Sequence, residues 1–265
     1  MRKRPHRIPC LPQRGRRRSA FTLIELLAVI TVMVLLTALA VPAFNSINQS
    51  GDITKAVYDL TAAVETARAF ALGNSTYVWV GFFEEDGSRV SNFPTAASGT
   101  GRVVISIVAS RDGTSIYNSS NLSAIDPTRL IQVGALTKIN NMHLATFPDA
   151  STPGTGITFD TRPSVDANSS VPPASVRIGD TAPPVSQTPF QYPLGSAAAP
   201  QYQFLKAIQF SPRGEVRIDN NSYSISRLVE IGLQPTHGAT LDVNTRNLVA
   251  IQISGFAGNI ITYRK

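Results

Sequence analysis

The first pattern in the chain is an apolar run that begins shortly after residue 20. Residues 26–44 are 19 positions without a charged side chain, close to the ~20 apolar residues that a helix needs to cross a bilayer. One carboxylate, Glu25, stands at the start of this run. We therefore expect a transmembrane helix over residues 21–44, with Pro42 disturbing its backbone hydrogen bonds near the far end.

A second helical pattern follows directly over residues 45–73. Its apolar positions recur at spacings of three and four, which is typical of one stripe along an amphipathic helix. Gly73 and Asn74 supply a stop signal. The pattern predicts one long helix whose second half packs on the following domain through Ile53, Val57, Leu60, Val64, Ala67 and Ala71.

Beyond residue 74 the pattern changes to short β-type runs separated by turns, which predicts an antiparallel sheet domain over 74–265. The fold class is therefore α+β. Residues 148–201 hold ten of the chain's 18 prolines and predict a loop-like insertion with short edge strands near 157–160 and 175–178. The main strands are expected at 76–83, 102–109, 129–133, 137–144, 204–210, 215–219, 225–233, 247–254 and 259–264.

The net charge of +7 comes from the first residues of the chain. Residues 2–18 contain eight arginines and lysines and no acid, and the remainder holds 16 basic and 17 acidic residues, 16 − 17 = −1. A basic cluster before an apolar run is typical of a cytoplasmic flank. We interpret residues 1–20 as a leader peptide, and a nucleic-acid-binding face is not expected from the near-neutral body.

The residues around Glu25 carry a more specific signal. Residues 19–27, S-A-F-T-L-I-E-L-L, closely resemble the type IV prepilin signature. The resemblance implies cleavage by prepilin peptidase between Ala20 and Phe21, and methylation of the new amine on Phe21. Glu25 and Pro42 then take the places of the family's assembly glutamate and of a helix-kinking proline. The family usually has glycine before the cut, so with Ala20 we expect slower processing.

The role that the resemblance implies for Glu25 has a physical basis. A charge within a membrane helix is costly, and the free amine of Phe21 on a neighbouring subunit can pair with it. Pairing offsets the cost of burying either charge alone. The alternative is that Glu25 merely reaches toward the membrane interface.

The C-terminal part supports a narrower resemblance to H-type minor pseudopilins of type II secretion and to their competence-pilus relatives. Residues 210–216, F-S-P-R-G-E-V, are similar to a turn in those proteins. Residues 227–238, R-L-V-E-I-G-L-Q-P-T-H-G, with the closing hairpin, resemble the pilin-like group called Verru_Chthon cassette protein D.

This resemblance implies a pilin-like fold and a structural subunit rather than an enzyme. The subunit would sit in the bacterial inner membrane, with a cytoplasmic N-terminus and a periplasmic C-terminal domain, and would later enter a pilus-like filament. Its implied partners are prepilin peptidase, other pilin or pseudopilin subunits and the inner-membrane assembly platform.

The residues offer little for catalysis or metal binding. The chain has no phosphate-loop, nucleophile-elbow or zinc-helix motif, and its single cysteine is Cys10. His143 lies in the strand-like run 137–144 and His237 in the turn 235–238, and we expect each to be a surface histidine or a hydrogen-bonded turn histidine. Residues 84–86, E-E-D, lack the alternating spacing of a calcium loop and are expected to form a solvated turn. No cofactor is expected.

Two other interpretations stay open. A DNA-binding minor pilin would use cations near the C-terminus, namely Arg227, Arg246, Arg264 and Lys265. An ordinary exported binding protein or hydrolase would be released after Ala40, which ends a small-x-small cleavage sequence, or would keep its signal anchor.

Overall fold

The computed structural model divides the chain into two compact units, Met1–Ser46 and Ile47–Lys265. The predicted leader 1–20 and Phe21 lie outside the described residues, as do the side chains of 39–50. The structure describes residues 22–91, 96–115, 126–149, 154, 156–165, 177–179, 190–195, 200–218, 227–243 and 245–265.

Helix α1 spans Leu23–Gly73 and is followed by a β-rich region. Two short 3-10 turns, Pro127–Arg129 and Phe159–Thr161, interrupt that region. The strands are β1 Val78–Asp86, β2 Gly101–Ser110, β3 Leu130–Gln132, β4 Thr137–Ala145, β5 Arg177–Ile178, β6 Phe190–Tyr192, β7 Tyr202–Phe204, β8 Lys206–Phe210, β9 Val216–Arg217, β10 Leu228–His237, β11 Thr240–Leu241, β12 Val249–Ser254 and β13 Ile260–Arg264.

The described strands form one large, almost entirely antiparallel sheet. Its main path runs in the order β13-β12-β10-β4-β2-β1-β8-β9. The short strand β5 pairs parallel with β10, and β6 and β7 form a separate two-stranded ribbon. The α+β class with an antiparallel sheet is therefore confirmed. The predicted edge strand at 157–160 is wrong, because Phe159–Thr161 closes a 3-10 turn there.

The first part of α1 is apolar and exposed in the isolated chain. Every large apolar side chain from Leu23 to Leu36 is at least half exposed. The hydroxyl of Thr31 donates to the carbonyl of Leu27 at 2.7 Å, which satisfies a polar group inside the apolar run. Within the described residues, no helical stretch has both the length and the mean hydropathy of a membrane span.

The second part of α1 packs on one face of the sheet through the predicted stripe. Its six predicted residues are all buried, and Ala56 and Ala63 widen the contact. Small residues at these positions let the helix lie close to the strands. The same core cluster contains Val80 of β1, Ile105 of β2, Ile231 of β10 and Ile251 of β12.

The opposite face of the sheet is covered by short segments instead of a helix. Over β1, Phe190 and Phe204 of the β6–β7 ribbon stack with ring centroids 5.0 Å apart. They lie directly against Gly81, where an added Cβ would come within 2.5 Å of the Phe190 ring. Glycine is therefore required at position 81, because the ribbon occupies the space of a side chain.

The helix–sheet contact predicts a large stability loss for Leu60→Ala. Leu60 is fully buried, and removing such a side chain costs about 2–5 kcal/mol. Unfolding of the full chain in detergent by denaturant, followed through the fluorescence of the single tryptophan, Trp79, measures the loss. Tyr58→Ala on the exposed side of the same helix is the control, with a change below about 0.5 kcal/mol. Equal effects of the two variants would contradict the packing assignment.

Candidate functional site

The first candidate site is the start of helix α1. Thr22 and Glu25 form a reciprocal cap: the backbone N–H and the hydroxyl of Thr22 donate to Glu25 Oε2 at 3.0 and 2.9 Å, and the Glu25 N–H donates back to Thr22 Oγ1 at 3.3 Å. This is the capping-box arrangement, in which a threonine cap and a glutamate three residues later satisfy each other's backbone donors. The T-L-I-E part of the predicted signature is thus also a helix start.

The cap uses only one oxygen of the Glu25 carboxylate. Oε2 accepts both bonds from Thr22, while Oε1 accepts none among the described residues. The neighbouring Leu23, Ile24 and Leu26 side chains are exposed and apolar. The site is therefore a carboxylate with one open oxygen, held by its own helix and surrounded by apolar side chains. Such a group can accept a hydrogen bond from a cationic donor of another molecule.

The remaining predicted site residues stay predictions. Ala20 and Phe21 lie outside the described residues. The helical assignment runs through position 42, but the Pro42 side chain lies outside the description, so the proposed kink is not tested.

A second polar site, which sequence reasoning missed, lies buried against β10. Glu230 and Arg162 are each about 2% exposed, and Arg162 Nε donates to Glu230 Oε2 at 2.8 Å. Gln252 Nε2, from β12, donates to the same oxygen at 2.8 Å. Arg177 Nε lies 3.6 Å from Glu230 Oε1, and its Nη2 contacts Asp149 Oδ1 at 2.5 Å.

The rest of the Arg162 guanidinium binds the chain that surrounds it. Nη1 donates to the carbonyl of Phe159 at 2.9 Å and Nη2 to that of Pro148 at 2.7 Å. The guanidinium also lies over the Phe159 ring, 4.6 Å from its centroid. Burial, and secondly the charge of Glu230, raises the pKa of the nearby Tyr263. The charges of this cluster compensate one another, and the cluster anchors the proline-rich insertion to the sheet. Its role is therefore structural.

The sequence carries only a faint signal for this cluster. Glu230 lies between Val229 and Ile231 in a strand, so its side chain points away from the helix-covered face. From strand alternation alone, Glu230 would be placed on a solvent-exposed face of the sheet. The alternation cannot show that the insertion covers this face.

The acidic run at 84–86 does not form a shared site. Glu84 Oε1 lies 2.7 Å from His143 Nδ1, Glu85 pairs with Arg102 at 3.1 Å, and Asp86 binds Ser88. The Ser88 hydroxyl and then its backbone N–H hold the pKa of Asp86 below its usual value. Within the described part of the chain, no group of three or more His, Cys, Asp or Glu side chains could hold a metal ion.

Two expectations about these residues are wrong. His143 lies in a strand, β4, as predicted, but it is buried rather than at the surface, and Glu85 is buried at the end of β1 rather than in a solvated turn. The physical reason is charge compensation, since each buried polar side chain has an oppositely charged or hydrogen-bonding partner within reach.

The cations at the C-terminus have separate contacts. Arg264 Nη1 donates to Thr54 Oγ1 at 3.2 Å, while Lys265 Nζ lies 3.4 Å from Asp160 Oδ1. Arg227 and Arg246 are exposed.

Comparison with known proteins identified no relative of this chain. No protein-family model, no curated protein and no solved structure matches the chain.

The buried cluster predicts that Arg162→Met destabilises the fold by about 3–5 kcal/mol, because Glu230 would keep its charge without its main partner. Replacing both partners, Arg162→Met with Glu230→Leu, should recover most of the loss. Denaturant unfolding of the full chain followed by Trp79 fluorescence measures both. Arg129→Met, in the exposed Asp112 pair, is the control and should change little. An unchanged free energy of unfolding in Arg162→Met would show that the cluster does not anchor the insertion.

Proposed function

We propose that the chain is the precursor of a minor pseudopilin or related pilin-like protein, a structural subunit of a type II secretion or type IV pilus-like assembly. One observation carries the proposal: the T-L-I-E-L-L part of the signature lies at the first turn of a helix that ends at Gly73, and the later part of this helix covers an antiparallel sheet. The signature, the long helix and the sheet domain occur in the order that a pilin-like subunit requires.

The apolar part of α1 supports a role in a membrane and then in a helical filament core. Its large side chains are exposed in the isolated chain, so another apolar phase or other subunits must cover them. The hydroxyl of Thr31 is satisfied within the helix. An exposed apolar surface without open hydroxyl groups is compatible with lipid and with packing against equivalent helices.

Glu25 would set the register of assembly. After cleavage before Phe21, the new amine of one subunit would meet the open Oε1 of Glu25 on a neighbour. Both charges would then be compensated in apolar surroundings, and the Thr22 cap would hold the carboxylate in place. Proposed partners are prepilin peptidase, other pilin or pseudopilin subunits and the inner-membrane assembly platform.

The basic leader would stay in the cytoplasm and the sheet domain would face the periplasm. The eight basic residues of 2–18 favour this orientation under the positive-inside rule. The proposal assigns the chain no catalytic role.

The N-terminus of the mature protein tests the processing step. We expect a start at Phe21, with one added methyl group, measured by intact mass and terminal sequencing of membrane-derived protein. Ala20→Gly should be processed faster, because it restores the residue that prepilins usually carry. A start at Val41, or an unprocessed Met1, would contradict the proposal.

Substitution of Glu25 tests the assembly step. Glu25→Ala and Glu25→Gln should both insert and be cleaved, and filament incorporation should fall at least about tenfold, because the partner amine loses its counter-charge. Crosslinking and sheared-filament immunoblotting measure incorporation. Glu65→Ala, an exposed carboxylate on the same helix, is the matched control. Unchanged incorporation of Glu25→Gln would remove the role assigned to the charge.

A further inference from the structure

We propose that a cleft in the sheet domain binds a lysine side chain presented by a partner protein, with the ammonium on the open oxygen of Glu84 and the alkyl stem against apolar walls. The cleft has a volume of about 330 Å³, within the range of ligand-binding pockets. The exposed Leu205 and the half-buried Phe83 supply its accessible apolar surface. This surface is independent of the helix start on which the proposed function depends.

Glu84 is the charged group in the cleft that lacks a compensating lysine or arginine. Its Oε1 lies 2.7 Å from His143 Nδ1 and accepts from the Gly101 N–H at 3.3 Å. Its Oε2 accepts no hydrogen bond among the described residues, although the side chain is only 14% exposed. Oε2 is not one of the described buried atoms that lack a partner, so it is accessible to an additional donor, and a hydrogen bond from a cation to a carboxylate is stronger than a neutral one.

The nearest cations are committed elsewhere. Lys206 lines the cleft, but its ammonium donates to the carbonyl of Gly179. Arg102 pairs with Glu85 at 3.1 Å. In the described part of the chain, Glu84 contacts His143 through Oε1 and forms no ion pair with a lysine or arginine, so Oε2 is the acceptor that the cleft offers beside its apolar surface.

The geometry favours an ammonium over a guanidinium. Arginine typically binds a carboxylate through both oxygens at once, whereas lysine acts as a compact point charge with three rotatable donors. Oε1 of Glu84 is already in use, which leaves one oxygen. Ser98 and Thr100 also line the cleft, and their hydroxyls can accept the remaining ammonium donors. The apolar walls suit the four-carbon stem of lysine, which packs along apolar surfaces while its head stays polar.

The test uses the full chain in detergent and three probes: the Nα-acetyl methylamides of lysine, norleucine and arginine. Titration followed by saturation-transfer NMR should show binding of the lysine probe, at least about tenfold weaker binding of the norleucine probe, and weaker binding of the arginine probe. Glu84→Gln should weaken lysine binding at least about tenfold. Glu65→Gln, a carboxylate change outside the cleft, should leave it unchanged.

A second variant guards against a folding defect in Glu84→Gln. Ser98→Trp fills the mouth of the cleft from an exposed position and keeps the carboxylate, so it should also abolish binding of the lysine probe while the thermal melt stays like that of the parent. Equal binding of lysine and norleucine probes, equal binding of lysine and arginine probes, or full binding by Glu84→Gln would each overturn the proposal. None of these results bears on cleavage before Phe21, so the two proposals fail separately.

Discussion

The contact between the later half of α1 and the sheet is the interaction on which the rest of the domain depends. The central strands have apolar residues on both faces, and an antiparallel sheet of this kind requires cover on each side. One helix covers one face because its stripe holds residues of two kinds: Leu60 and Val64 are large and pack into the core shared with the sheet, while Ala67 and Ala71 are small and allow close approach. Larger side chains at the alanine positions would push the helix away and leave the strand residues poorly covered.

The second face is stabilised by a different kind of interaction. Short ribbons and 3-10 turns bury little apolar area by themselves, so they need specific anchors. Gly81 makes room for Phe190 over β1, and the Arg162–Glu230 pair fixes another part of the insertion over β10. A buried ion pair contributes little net stability compared with apolar packing, but it strongly disfavours arrangements that leave either charge alone. The cluster therefore specifies how the proline-rich segment lies more than it adds to the free energy of unfolding.

The contrast between the two faces explains what the sequence could predict. The stripe of α1 and the principal strands of the sheet were predictable, because each has a period that repeats over several turns or residues. The buried positions of Glu230, Glu85 and His143 were not, because each depends on a partner far along the chain: Arg162, Arg102 and Glu84 lie 68, 17 and 59 positions away. A single sequence shows no such pairings. The capping box of Thr22 and Glu25 could have been read from its spacing alone.

That capping box bears on how Glu25 could serve both the helix start and the proposed assembly. If both Glu25 oxygens accepted hydrogen bonds from its own helix, an incoming amine would have to break the cap. The free energy gained by the ion pair would then be offset by the hydrogen bonds lost at the helix start. The structure instead places both Thr22 donors on Oε2. The cap and an intermolecular pair can therefore coexist, because the cap fixes the Glu25 rotamer and would leave Oε1 to a neighbouring subunit in the proposed filament. Because the carboxylate is already ordered, pairing in the proposed filament would cost little additional side-chain entropy.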